Sequence, residues 1–169
     1  MNFIIEKAKV SDAAELLQYL KQIGGETDNL TFGAEGLPGS VEDEEKYIES
    51  LQNSTSSVMF VAKCDGKIIG DAHFSSSERE RIKHRGEIGI SVVREYWGCG
   101  VGSRLMEKLI DFAKNTAGCE IIHLQVRSDN ERAIGLYKKY GFEKIGQFKG
   151  YIKIDGEYID CNLMNLYMK

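Results

Sequence analysis

Residues 86–116 read GEIGISVVREYWGCGVGSRLMEKLIDFAKNT. The first eight, GEIGISVV, are apolar and β-branched enough for a strand, and from Val101 the residues Val101, Leu105, Leu109 and Phe112 fall on one helical face. Between them Gly98-Cys99-Gly100-Val101-Gly102-Ser103 sets three glycines at the expected helix N-terminus, where backbone N–H groups converge and an anion is stabilised. Four readings compete for that turn. A Rossmann dinucleotide turn needs GxGxxG, but Ser103 stands where the third glycine belongs and no clear acidic ribose partner follows. A P-loop needs GxxxxGK[ST], which is absent. A pyrophosphate cradle of another fold and a purely structural glycine turn both remain.

Residues 2–8 form a short apolar strand, and Ser11 and Asp12 offer caps for a helix carrying Ala13, Leu16, Leu17 and Leu20. Residues 24–40 hold five glycines and the sole proline, which predicts a long loop. Ser40 and Asp43 make a capping box for a helix over 41–53. Strands over 58–64 and 67–74 flank Asp65-Gly66, a type I′ hairpin turn. Downstream, IIHLQV (121–126) precedes a helix over 130–140 that ends at Gly141, and two long strands flank Asp155-Gly156. The sum is a single α/β (α+β) domain over 1–169, with a mixed sheet of about seven strands and about four helices.

The chain has 169 residues, 42% of them hydrophobic and 28% charged, enough for one buried core. Its net charge of −4 argues against a nucleic-acid partner, which would need clustered positive charge. No apolar run is long enough to span a bilayer and the N-terminus lacks a signal-peptide pattern, so no membrane association and a cytoplasmic location are expected. Cys64, Cys99, Cys119 and Cys161 form no CxxC pair, and His73, His84 and His123 are scattered, so neither a metal site nor a disulfide framework is expected.

The run from Gly86 through IIHLQVRSDNERAIGLYKKYGF resembles the GCN5-related N-acetyltransferase (GNAT) superfamily, whose signature joins (Gln or Arg)-x-x-Gly-x-(Gly or Ala) to an Asn-x-x-Ala-x-x-x-Tyr-x-x-x-Gly-Phe helix. The second half is complete as Asn130, Ala133, Tyr137, Gly141 and Phe142. In the first half Gly100 and Gly102 match, but Trp97 replaces the Gln or Arg, which removes a polar side chain from the loop. The resemblance covers 86–145 by motif and the remainder by order of elements.

It implies acetyl-CoA as co-substrate, its pyrophosphate on the amides of Gly98, Cys99, Gly100, Val101, Gly102 and Ser103, and its pantetheine arm beside Ile90, Ser91 and Val92. Relatives splay this strand from the next by a bulge, and a strand amide near Val92 would polarise the thioester carbonyl. By the same resemblance Asn130 contacts the cofactor and Tyr137 protonates the departing thiolate. Glu87 resembles the glutamate that histone-modifying relatives use as a base; a solvent-facing carboxylate beside Arg85 is the plain alternative. Ribosomal-protein acetyltransferases place a Glu where this chain has Gln125, which cannot act as a base and tilts the reading toward a small-molecule amine acceptor. Loop 24–40, helix 41–53 and the hairpin at 150–160, with Tyr151 and Tyr158, are expected to build the acceptor site. A homodimer through the C-terminal strands is a further implication of the resemblance. Cys99, inside the cradle, is not expected to form a covalent intermediate.

Overall fold

Both Asp-Gly dipeptides turn the chain as type I′ hairpins require, with positive φ at each central residue: 49° and 79° at Asp65 and Gly66, 50° and 84° at Asp155 and Gly156. In the computed structural model, which describes residues 1–168, these turns connect neighbours in one seven-stranded sheet. The strands are β1 (Ile4–Lys7), β2 (Ser57–Cys64), β3 (Lys67–Ser76), β4 (Arg85–Val92), β5 (Ile121–Arg127), β6 (Glu143–Ile154) and β7 (Glu157–Tyr167). Their order is β1-β2-β3-β4-β5-β7-β6, antiparallel throughout except for β4 beside β5.

Four α-helices cover the two faces: α1 (Ala13–Glu26), α2 (Val41–Leu51), α3 (Val101–Asp111) and α4 (Glu131–Lys139). Helices α1 and α2 bury Leu16, Tyr19, Ile23 and Ile48 against Met59 and Val61. On the opposite face α3 buries Leu105, Met106 and Leu109 beside Phe74, Ile122, Leu124 and Met164, and α4 adds Tyr137. Alternation along the central strands therefore serves two cores, because both sheet faces are covered.

Two boundaries depart from the sequence expectation. Helix α1 runs through Gly24 and Gly25 to Glu26 instead of ending before them. The glycine at 24 serves close packing: a Cβ there would lie 1.9 Å from the carbonyl oxygen of Gly33, so the loop folds directly onto the helix. The helix expected over 101–116 is α-helical only to Asp111 and closes in a π turn, Phe112–Thr116.

Parallel pairing of β4 with β5 lasts only from Arg85–Glu87 against Ile121–His123. Beyond it β4 continues along β3 to Val92 and β5 continues along β7 to Arg127, so the two strands diverge and open a wedge in the middle of the sheet. The register of β4 on β3 shifts nowhere between Gly86 and Val92, so no extra residue on that side makes the splay, contrary to the expected bulge.

Candidate active site

The wedge leads into a cavity of about 410 Å³ whose walls come from the C-terminal end of α1, the loop after it, β4, the glycine turn and the start of α4. Gly98 and Gly100 hold φ of 76° and 84°, the left-handed region where a side chain is strained. That backbone aims the start of α3 at the cavity. The first intrahelical bond runs from Arg104 N–H to Gly100 O, and the N–H groups of Val101, Gly102 and Ser103 have no partner among the described residues. Gly102 lies close to α4, and a Cβ there would meet the Leu136 side chain at 3.3 Å. Three free amides at a positive helix end suit a pyrophosphate.

Of the residues expected to hold the cofactor, Ile90, Ser91, Val92, Gly98, Gly100, Val101, Gly102, Ser103, Asn130 and Tyr137 all line this cavity. Cys99 does not. Its side chain is exposed with Sγ 3.7 Å from Trp97 O, and its N–H already donates to Tyr96 O within the turn. Asn130 caps α4, its side-chain oxygen accepting from Ala133 N–H at 3.2 Å.

Val93 N–H donates to Ile69 O across β3, so by antiparallel alternation the N–H and C=O of Val92 point the other way, into the wedge. The indole N–H of Trp97 donates to Val92 O at 2.7 Å and occupies that carbonyl. The Val92 N–H is left facing the opening, where a developing oxyanion would need a donor.

Trp97 does more than replace a polar residue. Its ring carries the guanidinium of Arg132 at 4.2 Å and that of Arg94 at 5.2 Å. Arg132 lines the cavity beside the amides of α3. The positive charge missing at position 97 thus arrives from α4, a substitution the sequence motif did not disclose.

Tyr137 is 8% exposed and its ring packs 5.8 Å from that of Phe142. Burial pushes its phenol up to about 12, so it stays protonated and able to donate at neutral pH. Glu87 is exposed and outside the cavity. It sits at the closed end of the wedge opposite His123, four residues along the strand from Ser91, roughly 13 Å away, too far to reach an amine at the cavity. The expectation that Glu87 is the base is therefore not carried by its position.

The face under α1 holds a residue that the motifs gave no reason to single out. Asp71 of β3 is 8% exposed and accepts a hydrogen bond from the Ser91 hydroxyl, while Ser91 Oγ also lies 2.8 Å from Tyr19 Oη. A lone acid within an apolar strand, KIIGDAHF, was the one available signal. Desolvation raises the Asp71 carboxyl above the usual carboxylate range, partly offset by His73 and the Ser91 hydrogen bond.

Thr27, Asn29 and Leu30, in the loop after α1, also line the cavity. Glu26 fixes the start of this segment by accepting from Arg94 N–H at 2.9 Å, and Arg127 Nη1 donates to Asp28 O at 3.2 Å. The Tyr151 hydroxyl reaches Gln125 at 3.4 Å and its ring meets Phe148. Tyr158 is 70% exposed beside Lys153. Among the described residues no group of three or more His, Cys, Asp or Glu is placed to hold a metal, and no helix is long and apolar enough to cross a membrane.

Residues 14–142 match the acetyltransferase (GNAT) family. The L-amino acid N-acetyltransferase AaaT of Escherichia coli is 36% identical over 116 residues, 69% of this chain and 72% of that protein. A GNAT-family acetyltransferase from Streptococcus pneumoniae superposes with a TM-score of 0.95 at 30% identity, covering 99% of this chain and 100% of its own. The fold is shared, at 20% identity and a TM-score of 0.85 over 100% of this chain and 95% of the other, with the Salmonella typhimurium protein yncA, solved with its cofactor acetyl-CoA. The chain belongs to the acetyltransferase (GNAT) family and is an N-acetyltransferase.

Proposed function

We propose that this enzyme transfers an acetyl group directly from acetyl-CoA to the primary amine of a small molecule, with free amino acids as the favoured acceptor class. The observation that carries the reading is the wedge between β4 and β5, with free α3 amides at one side and the Ser91 hydroxyl and Tyr137 phenol on its walls. Acetyl-CoA supplies an acetyl group activated as a thioester. The amides of Val101, Gly102 and Ser103, with Arg132, would hold its pyrophosphate, and Ile90 to Val92 would flank its pantetheine arm.

The Val92 N–H stabilises negative charge on the carbonyl oxygen, and Tyr137 gives a proton to the leaving thiolate. No cysteine lines the cavity, and Cys99 of the glycine turn lies outside it, which favours direct transfer. A small acceptor fits because Thr27, Asn29 and Leu30 form a wall tied down through Arg94 and Arg127. The identity to an L-amino acid N-acetyltransferase supports the same class.

A thiol-release assay with acetyl-CoA over L-amino acids, polyamines and peptides with free N-termini tests the proposal. Release on free amino acids above the peptides is expected. Preference for peptides would make the chain an N-terminal acetyltransferase, and acetyl-CoA binding without release on any acceptor would leave a non-catalytic acyl-CoA-binding protein.

A further inference from the structure

Nucleophile activation needs a base, and the carboxylate on the cavity wall, Glu26, is engaged at both oxygens, by the backbone N–H of Arg94 and by the side chain of Gln22, each at 2.9 Å. An amine bound near neutral pH arrives mostly as ammonium and must lose a proton before it attacks. Ser91 is the polar side chain on the β4 wall, and its hydroxyl is not isolated: it donates to Asp71, and with that donor spent it accepts from Tyr19 O–H at 2.8 Å. A hydroxyl oxygen has two lone pairs, so one remains for an N–H from the cavity. Tyr19 is 3% exposed, and burial holds its phenol well above the ordinary value, so it stays a donor and fixes the direction of the chain.

We propose that Asp71 is the proton-accepting end of a relay through Ser91 that neutralises the acceptor's ammonium. The inference rests on the acetyl-transfer reading and deepens it by assigning the base. In the step, the ammonium gives one N–H proton to Ser91 Oγ as the Ser91 hydroxyl proton passes to Asp71 Oδ1. The products are a neutral amine with its lone pair free, an unchanged serine and a protonated Asp71. Charge is conserved: one ammonium and one carboxylate become two neutral groups. Asp71 touches no substrate; it acts through Ser91 as a positioning and proton-holding residue.

The groups around Asp71 suit that task. Among the described residues it forms no ion pair with Lys or Arg, which would lock it as a carboxylate. From α1 it is faced by Tyr19, near Glu26, and from α2 by Glu44, which is half-buried and also raised in pKa by desolvation and by the Asp71 charge. Ser91 faces it from β4, and Val61 of β2 is opposite. On its own strand His73 is exposed two residues along the same face, and its charge opposes the rise in the Asp71 carboxyl. Burial places its proton affinity above that of a surface aspartate, partly offset by His73 and the Ser91 hydrogen bond.

The test compares kcat against pH for wild type, Asp71→Asn and Ser91→Ala, using the panel amine with the fastest thiol release. Wild type should lose kcat on the acid side as Asp71 protonates. Asp71→Asn should cut kcat about a hundredfold and Ser91→Ala about tenfold, with the KM for acetyl-CoA unchanged. In Asp71→Asn the acid limb set by Asp71 should be replaced by one that follows the free-amine fraction, at the acceptor's own pKa. A kcat within threefold of wild type with the acid limb intact would overturn the relay, and so would a lowered melting temperature accompanied by an unchanged profile.

Carboxyl ¹³C NMR of the aspartates decides the question independently of turnover. Ser91→Ala removes a hydrogen bond that lowers the Asp71 carboxyl, so its midpoint should move further up. An unmoved midpoint overturns the proposal even if Asp71→Asn fails to fold. If wild type releases no thiol on any amine, the acetyl-transfer reading fails by itself, and an unmoved midpoint then refutes the contact as well.

Discussion

Arg132 lays its guanidinium 4.2 Å from the centroid of the Trp97 ring, at the edge of the glycine turn that opens α3. A cation on an aromatic face is held in place without a salt bridge and keeps its N–H donors for an anion. Arg132→Ala should raise the KM for acetyl-CoA about tenfold, about 1.4 kcal/mol, and leave kcat nearly unchanged. Steady-state kinetics at two salt concentrations checks this; an unaltered KM would place the charge outside the pyrophosphate site.

Tyr137 should behave as an acid rather than as an anchor. Tyr137→Phe should lower kcat about a hundredfold with little change in acetyl-CoA affinity. A fall in affinity alone would remove the acid role.

The same phenol predicts a stability trend. Its folded value of about 12 lies above the ordinary 10, so the proton is bound more tightly in the folded chain. Its contribution is fully present below pH 10 and is lost as pH rises toward 12. Thermal melts across that window should fall less steeply for Tyr137→Phe than for wild type.

Cys99 lies in the signature turn yet is exposed and outside the cavity. Cys99→Ser should keep most of the activity. A loss beyond about a hundredfold, about 2.7 kcal/mol, would contradict direct transfer.

Far from the cavity, Lys63 Nζ lies 2.7 Å from Asp12 and 2.9 Å from Glu6, joining β1, β2 and the start of α1. Lys63→Ala leaves Asp12, whose side chain is 7% exposed, without its cation, though Lys9 N–H still donates to it. Denaturant melts should show a loss of about 3 kcal/mol with acetyl-CoA affinity preserved.

What the sequence disclosed follows the range of each signal. The two Asp-Gly turns, the Ser40–Asp43 capping box and the Gly141 stop are local, and all are present. The linked glycine turn and Asn130-to-Phe142 helix revealed the fold, because both halves must meet at one cavity. Gly24 misled because glycine marks close packing as well as a break, and the carbonyl of Gly33 that it accommodates is nine residues on. Glu87 and Ser91 share a strand and a face, and spacing alone does not tell which end of β4 borders the wedge. Asp71 and Arg132 were invisible as site residues for one reason: each acts through a partner, Ser91 or Trp97, distant in sequence.

In the proposed reaction the free amides of α3 and the opening beside β4 receive acetyl-CoA. Isothermal titration of the purified protein with acetyl-CoA tests it most directly, with Gly100→Ala as the companion because φ of 84° makes any side chain there distort the turn. A one-site isotherm in the micromolar range for wild type, weakened at least tenfold in Gly100→Ala, is the predicted result. No heat of binding by the wild-type protein, or equal affinity in both, would contradict the account.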